Sequence, residues 1–189
     1  MTEGSKISGA HVCPWWFAYT FDNPLRRFIH NPETMLSPYV EKGMTVLDTG
    51  CGMGFFTIAM AELVGRDGKV VAVDLQPKML EVMMKRAGRY GLAGRITPHL
   101  CGPLELGLQG NFGFALAFWM VHEVPDAGQF FRQVYSHLLP GGCLLYTEPA
   151  FHVGEKDFRA MVAEAREAGF VRCAVPEVRF SRAGLFRRD

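Results

Sequence analysis

The chain has 189 residues, of which 49% are hydrophobic and 21% charged, and its formal net charge is +1. That length suits one domain with one core; the apolar share and balanced charge argue against a disordered chain and against a protein made for nucleic acid, and the one basic cluster, Arg179, Arg182, Arg187 and Arg188, reads as a solvated chain end. No apolar run is long enough to span a bilayer, no apolar leader opens the chain, and Cys13, Cys51, Cys101, Cys143 and Cys173 form no CxxC pair, so neither a disulfide framework nor a zinc ribbon is indicated and a reducing cytoplasm is expected.

Residues 1–42 read as a cap or lid. The rings of Trp15, Trp16, Phe17, Tyr19 and Phe21 are too many to stay in water together. From residue 43 onwards short apolar strands alternate with amphipathic helices. Residues 45–48 form a first strand, and 55–64 a helix ended at Gly65. Residues 69–74 form a second strand through Val70, Val71 and Val73. Pro77 opens a helix that runs to Tyr90, with Met79, Leu80, Met83 and Met84 near one face, and Gly91 stops it. Residues 95–100 make a third strand, and 112–120 a fourth, apolar almost throughout as a strand covered on both faces should be. Asp126 caps a helix running to Leu139, ahead of Pro140-Gly141-Gly142, and a fifth strand follows over 143–147. A helix over 155–168 and an antiparallel pair over 170–180 and 182–187 close the chain. Strand–helix alternation of this kind predicts one α/β domain over residues 1–189, doubly wound on a mainly parallel sheet.

The strongest local signal is Val46-Leu47-Asp48-Thr49-Gly50-Cys51-Gly52-Met53-Gly54, placed between the first strand and the first helix. Ligands of open α/β sheets bind beyond the carboxyl ends of the strands, where strand order reverses. Glycines there let the backbone turn tightly and approach a ligand. Asp74 ends the second strand and can accept hydrogen bonds from both ribose hydroxyls of a nucleoside. Asp74→Asn should be milder than Asp74→Ala, because an amide oxygen still accepts. A dinucleotide fingerprint is G-x-G-x-x-G, but here the third glycine comes one residue early at Gly54, and Phe55 fills the dinucleotide position. Asp48, just before the loop, would repel a pyrophosphate and suits the charged amino group of a methionine moiety. The spacing favours S-adenosylmethionine over a nicotinamide dinucleotide.

Asp48-Thr49-Gly50-Cys51-Gly52-Met53-Gly54 resembles motif I of the class I S-adenosylmethionine-dependent methyltransferases. Val70–Asp74 resembles the acidic strand that follows it, residues 112–124 the fourth-strand motif, and residues 138–148 the helix-turn-strand motif before the acceptor pocket. Within that superfamily the chain is most similar to the ubiquinone/menaquinone and small-molecule branch. The resemblance implies a Rossmann-like, doubly wound, mainly parallel seven-stranded sheet with an antiparallel C-terminal strand and an N-terminal helical or aromatic cap. It implies Gly50, Gly52 and Gly54 in the cofactor loop, with Asp48 near the methionine amino group. Asp74 would bind ribose and Leu75 the adenine, with Phe118 against the methionine or adenosine. Cys101 and Gly102 fall where the family often carries an acid or amide beside the adenine amine, so Cys101 is a departure.

Methyl transfer from a sulfonium is an in-line displacement, which asks the protein to position an acceptor and take its proton. His122 and Glu123 follow the fourth strand, Glu148 ends the fifth, and His152 comes shortly after. His122, with Glu148, is a candidate general base; the alternative is that His122 bonds a backbone carbonyl or lines the pocket. His11 and Cys13 with His122, Glu148 or His152 carry ligand chemistry, but nothing in the spacing brings them together, and no metal is expected. Cys51 and Cys101 do not reproduce the cysteine arrangement of arsenic methyltransferases and read as small core residues. The expectation is a methyltransferase acting on a small-molecule acceptor, with neither nucleic acid nor membrane as partner. The alternative outside enzymes is a non-catalytic S-adenosylmethionine-binding protein.

Overall fold

The computed structural model describes residues 24–189. The aromatic run between Trp15 and Phe21, and His11 and Cys13, lie outside the described residues. Two short helices lead in: α1 (Pro24–Ile29) and α2 (Pro32–Leu36). Asn31 caps α2 by accepting from the Thr34 N–H at 3.0 Å, and Pro32 sits in its first turn, where a missing N–H costs nothing. Then follow β1 (Thr45–Thr49), α3 (Phe55–Leu63), β2 (Lys69–Asp74), α4 (Pro77–Arg89), β3 (Ile96–Leu100), β4 (Phe112–Phe118), α5 (Ala127–His137), β5 (Leu138–Pro149), α6 (Glu155–Glu167), β6 (Val171–Ala174) and β7 (Ser181–Arg187).

The seven strands stand in the order β3-β2-β1-β4-β5-β7-β6, with β7 antiparallel to both β5 and β6 and the other neighbours parallel. Strand order reverses between β1 and β4, so a crevice opens at their carboxyl ends. Both central strands are apolar because helices cover both faces. Val46, Phe114 and Leu116 pack with Phe56, Met60 and Met83 on one side. Leu47, Ala115 and Ala117 pack with Phe131, Tyr146 and Phe158 on the other. The expected apolar face of α4 is the one that is buried, through Met79, Leu80, Met83 and Ala87. Met83 is wholly buried, a contribution of about 1.5–3 kcal/mol.

Three stretches differ from expectation. The fourth strand stops at Phe118 because Trp119 takes a left-handed φ of 59°. α5 ends at His137, and Leu138 is already extended and paired with Phe112. The chain then bulges through Pro140-Gly141-Gly142 and resumes pairing at Cys143 opposite Phe114, while Gly141 and Gly142 exchange hydrogen bonds with Arg188. The strand expected over 170–180 is confined to Val171–Ala174; Pro176 has no N–H to continue a ladder. The crossover from β3 to β4, residues 101–111, contains no helix, as expected from a sequence that marks no element between those strands.

Candidate active site

The glycine loop leaves the end of β1, where Asp48 and Thr49 are both buried. The Thr49 hydroxyl donates to the Leu116 carbonyl at 2.7 Å, which ties the loop to β4. The Thr57 hydroxyl of α3 donates to Asp48 Oδ2 at 2.6 Å. Burial pushes the Asp48 carboxyl up to about 7; the Asp74 charge adds to this, and the Thr57 hydrogen bond and the Arg26 charge oppose it. At the end of β2, Asp74 accepts from the Gly52 N–H and the Gln76 N–H, each at 2.9 Å. Its acid therefore fastens the loop as well as facing the crevice. Burial raises its pKa, against those backbone hydrogen bonds.

Two glycines show why the loop takes this sequence. Gly54 has φ of 85°, and a Cβ there would lie 2.6 Å from Met83 Cγ, so α4 could not pack against it. Gly52 has φ of 52°, and a Cβ there would meet nothing within 4 Å among protein atoms. It borders the crevice, so the space above it is room for a ligand.

The crevice is a cleft of about 690 Å³, a size suited to a small-molecule site. It brings together Asp48, Gly50, Gly52, Asp74, Leu75, Cys101, Gly102, Phe118 and His122. Gly54 stands behind the wall, against α4, and Glu148 is fully buried behind His122. Burial and nearby carboxylates push the Cys51 thiol well above its ordinary value, and burial with the Asp74 charge takes Cys101 up to about 11. Both thiols stay protonated near neutral pH and are poor nucleophiles.

Across the cleft, His122 and Glu148 form a two-point contact. Glu148 Oε1 accepts from the His122 backbone N–H at 3.0 Å, and Oε2 lies 2.5 Å from Nδ1. Burial alone would lower the His122 pKa, but the Glu148 hydrogen bond and charge, joined by Glu123, outweigh it, so the net shift is upward. With Nδ1 engaged by a carboxylate, Nε2 is the nitrogen left to exchange a proton with a ligand. His152 meets His122 edge-on, ring centroids 4.9 Å apart. Among the described residues no group of three or more His, Cys, Asp or Glu side chains can hold a metal ion.

Sequence reading missed two neighbours. Arg26 lines the cleft with its guanidinium 4.3 Å from the centre of the Phe55 ring and acts on the Asp48 charge. No local motif marks it, since it arrives from a helix upstream of the sheet. Trp119 stacks on Phe118 with centroids 5.1 Å apart and donates from Nε1 to the Ser181 hydroxyl at 2.8 Å. A bulky residue at positive φ is a genuine outlier, held here by contacts from three segments, and its conformation cannot be read from composition.

This donor set fits an adenosyl amino acid. Asp74 and Asp48 bring acids that would suit hydroxyl and ammonium groups, Arg26 brings a guanidinium that would suit a carboxylate, and Leu75, Phe118 and the glycine backbone offer apolar and close-approach surface. Residues 40–176 match the family profile described as a methyltransferase domain. The chain belongs to that family, within the class I S-adenosylmethionine-dependent methyltransferases. Its relatives include a demethylmenaquinone methyltransferase of Listeria welshimeri, 34% identical over 113 residues, which covers 59% of this chain and 48% of that one. A ubiquinone/menaquinone biosynthesis C-methyltransferase of Pseudoalteromonas translucida is 32% identical over 117 residues, covering 61% and 47%. The chain thus spans about half the length of the curated relatives it matches. The same fold occurs in a crystal structure of a SAM-dependent methyltransferase from Aquifex aeolicus, with TM-score 0.84, 22% identity, 94% of this chain and all of that one covered.

Proposed function

We propose that the protein transfers a methyl group from S-adenosylmethionine to a small apolar acceptor whose reacting position must lose a proton, with His122 as the base and Glu148 as the group that orients it. The observation that carries this reading is the shared cleft: Gly52, Asp74 and His122 all line it, with Glu148 buried behind His122. When bound, the cofactor supplies an electrophilic methyl group on a sulfonium. Asp48 and Arg26 would hold the two charges of its amino-acid end, Asp74 its ribose, and Leu75 with Cys101–Gly102 the adenine side. Phe118, Trp119 and Met120 line the cleft between the two sides and exclude water. His122 Nε2 would take the proton that the acceptor must lose, with Glu148 holding the imidazole in place through Nδ1.

The names of the curated relatives, demethylmenaquinone and ubiquinone/menaquinone methyltransferases, support an aromatic quinol acceptor. Trp119 and Phe151, which meet edge-to-face, both line the cleft and offer aromatic surface to such a ring. The four described cysteines are free thiols, which supports a reducing, cytoplasmic setting. No helix among the described residues is long and apolar enough to cross a membrane.

The test supplies methyl-labelled S-adenosylmethionine with reduced naphthoquinols lacking the ring methyl group, and follows S-adenosylhomocysteine together with label in the quinol. Equal formation of both is expected, and His122→Gln should lower turnover by about 10²-fold or more, the usual contribution of a positioned base. Unchanged turnover in that variant would remove the base role. Cofactor binding without product from any acceptor would leave a non-catalytic binding protein.

A further inference from the structure

The wall of the cleft on the adenine side is not a strand or a helix but the helix-free crossover 101–111. A parallel crossover normally carries a helix that packs onto the sheet and steadies the connection. Irregular backbone that lines a site needs its polar groups satisfied some other way.

Here the partners are side chains from outside the segment. On α5, Gln133 accepts from the Leu106 N–H through Oε1 at 2.8 Å and donates from Nε2 to the Leu104 carbonyl at 2.8 Å. One amide thus bonds the backbone of two loop residues, using both its donor and its acceptor. One helical turn earlier, Gln129 donates to Glu105 Oε1 at 2.9 Å. From the sheet side His99 donates from Nε2 to the Leu106 carbonyl at 2.7 Å. Inside the segment, the Gly102 N–H donates to the Glu105 carbonyl at 2.9 Å, so Gly102 is placed by the same stretch that Gln133 grips. Leu104, Leu106 and Gly102 all face the cleft, as does Gln133 itself.

We propose that Gln133 is a positioning residue for cofactor binding: its side-chain amide clamps Leu104 and Leu106 and thereby sets where Cys101, Gly102 and Leu106 stand against the adenine. The proposal rests on the cofactor reading above. It goes beyond it by assigning the adenine wall to a residue of α5 that belongs to no cofactor motif. Among the described side chains that hold this wall, Gln133 is the one that bonds its backbone at two positions, and, being only partly buried, it can be changed with little loss of fold.

The test uses Gln133→Met, which keeps side-chain length and removes both hydrogen-bonding groups, and Gln133→Glu, which keeps the acceptor for Leu106 and loses the donor to Leu104. Hydrogen exchange of the ligand-free protein should show the Leu106 amide exchanging faster in Gln133→Met. Calorimetry should show its dissociation constant for S-adenosylhomocysteine raised about tenfold, with Gln133→Glu in between. Val162→Ala, a core cavity in α6, provides a destabilised control whose affinity should stay within about twofold of the parent. Unchanged Leu106 exchange would overturn the clamp. Unchanged affinity in both Gln133 variants, or an equal loss in Val162→Ala, would overturn the positioning role. Failure of the unmodified protein to bind S-adenosylhomocysteine would instead overturn the cofactor reading and the positioning role with it, and the exchange result would still judge the clamp.

Discussion

Asp48 carries the most perturbed acid facing the cleft, and its perturbation has a direction that can be read. Burial lifts its pKa to about 7 from the model-peptide range. A carboxyl raised on folding favours the folded state most when protonated. That contribution is complete below the unfolded pKa of about 3.9 and is lost as pH rises through about 7. A ligand ammonium beside it reverses the preference and favours the ionised form. S-adenosylhomocysteine should therefore bind more weakly as pH falls below about 7, and at about pH 6 its binding should release protons. Titration calorimetry in two buffers of different ionisation enthalpy measures that release; equal heats in both would exclude Asp48 from the ammonium contact. Asp74 behaves differently from the sequence-based expectation. Both of its oxygens accept backbone N–H groups, so Asp74→Asn turns an NH₂ toward one donor and is not mild. Both Asp74→Ala and Asp74→Asn should weaken S-adenosylhomocysteine binding by about 1–3 kcal/mol. An Asn variant with parental affinity would show that the loop does not need both acceptors. For His122, NMR titration should give a pKa above the ordinary 6.5, since the Glu148 and Glu123 interactions outweigh burial. In Glu148→Gln the charge is gone while burial remains, so the pKa should fall below that of the parent. A rise would contradict the assigned cause.

At the scale of elements, the two glycines of the loop separate folding from binding. Gly54→Ala places a methyl group 2.6 Å from Met83 Cγ at a left-handed φ, and should lower stability by about 1–3 kcal/mol. Gly52→Ala meets no protein atom; it should cost the fold only the left-handed strain of about 1 kcal/mol, yet abolish most cofactor affinity because its methyl group occupies the ligand's space. Urea denaturation beside calorimetry distinguishes them, and a Gly52→Ala protein that binds normally would contradict the placement. The loop, β1, β2 and α4 were legible because their signals are local: glycines at fixed offsets, an acid at a strand end, and methionines at helical spacing. What escaped was set by distant partners. The early start of β5 depends on Leu138 meeting Phe112 and on Arg188 filling the bulge. The stop of β4 depends on the contacts that hold Trp119 in its left-handed turn. The shape of the 101–111 crossover depends on Gln129, Gln133 and His99, none of which lies within it.

For the molecule as a whole, the reversal between β1 and β4 is what turns these local pieces into a site. It opens one cleft between the glycine loop with its acid and the two elements, the 3₁₀ turn Val121–Glu123 and the end of β5, that carry His122 and Glu148. Sequence alone placed Asp48, Asp74, His122 and Glu148 near that crevice by motif position. It could not show that Glu148 grips His122 at both backbone and ring, or that Arg26 arrives from α1, because those contacts join segments far apart in the chain. On the reading proposed here this cleft takes an adenosyl amino acid rather than a dinucleotide. Titration calorimetry of the full chain with S-adenosylhomocysteine and, separately, with NAD tests it most directly. Saturable binding of S-adenosylhomocysteine, weakened in Asp74→Ala, and no binding of NAD are expected; saturable binding of NAD with no heat from S-adenosylhomocysteine would overturn the cofactor assignment.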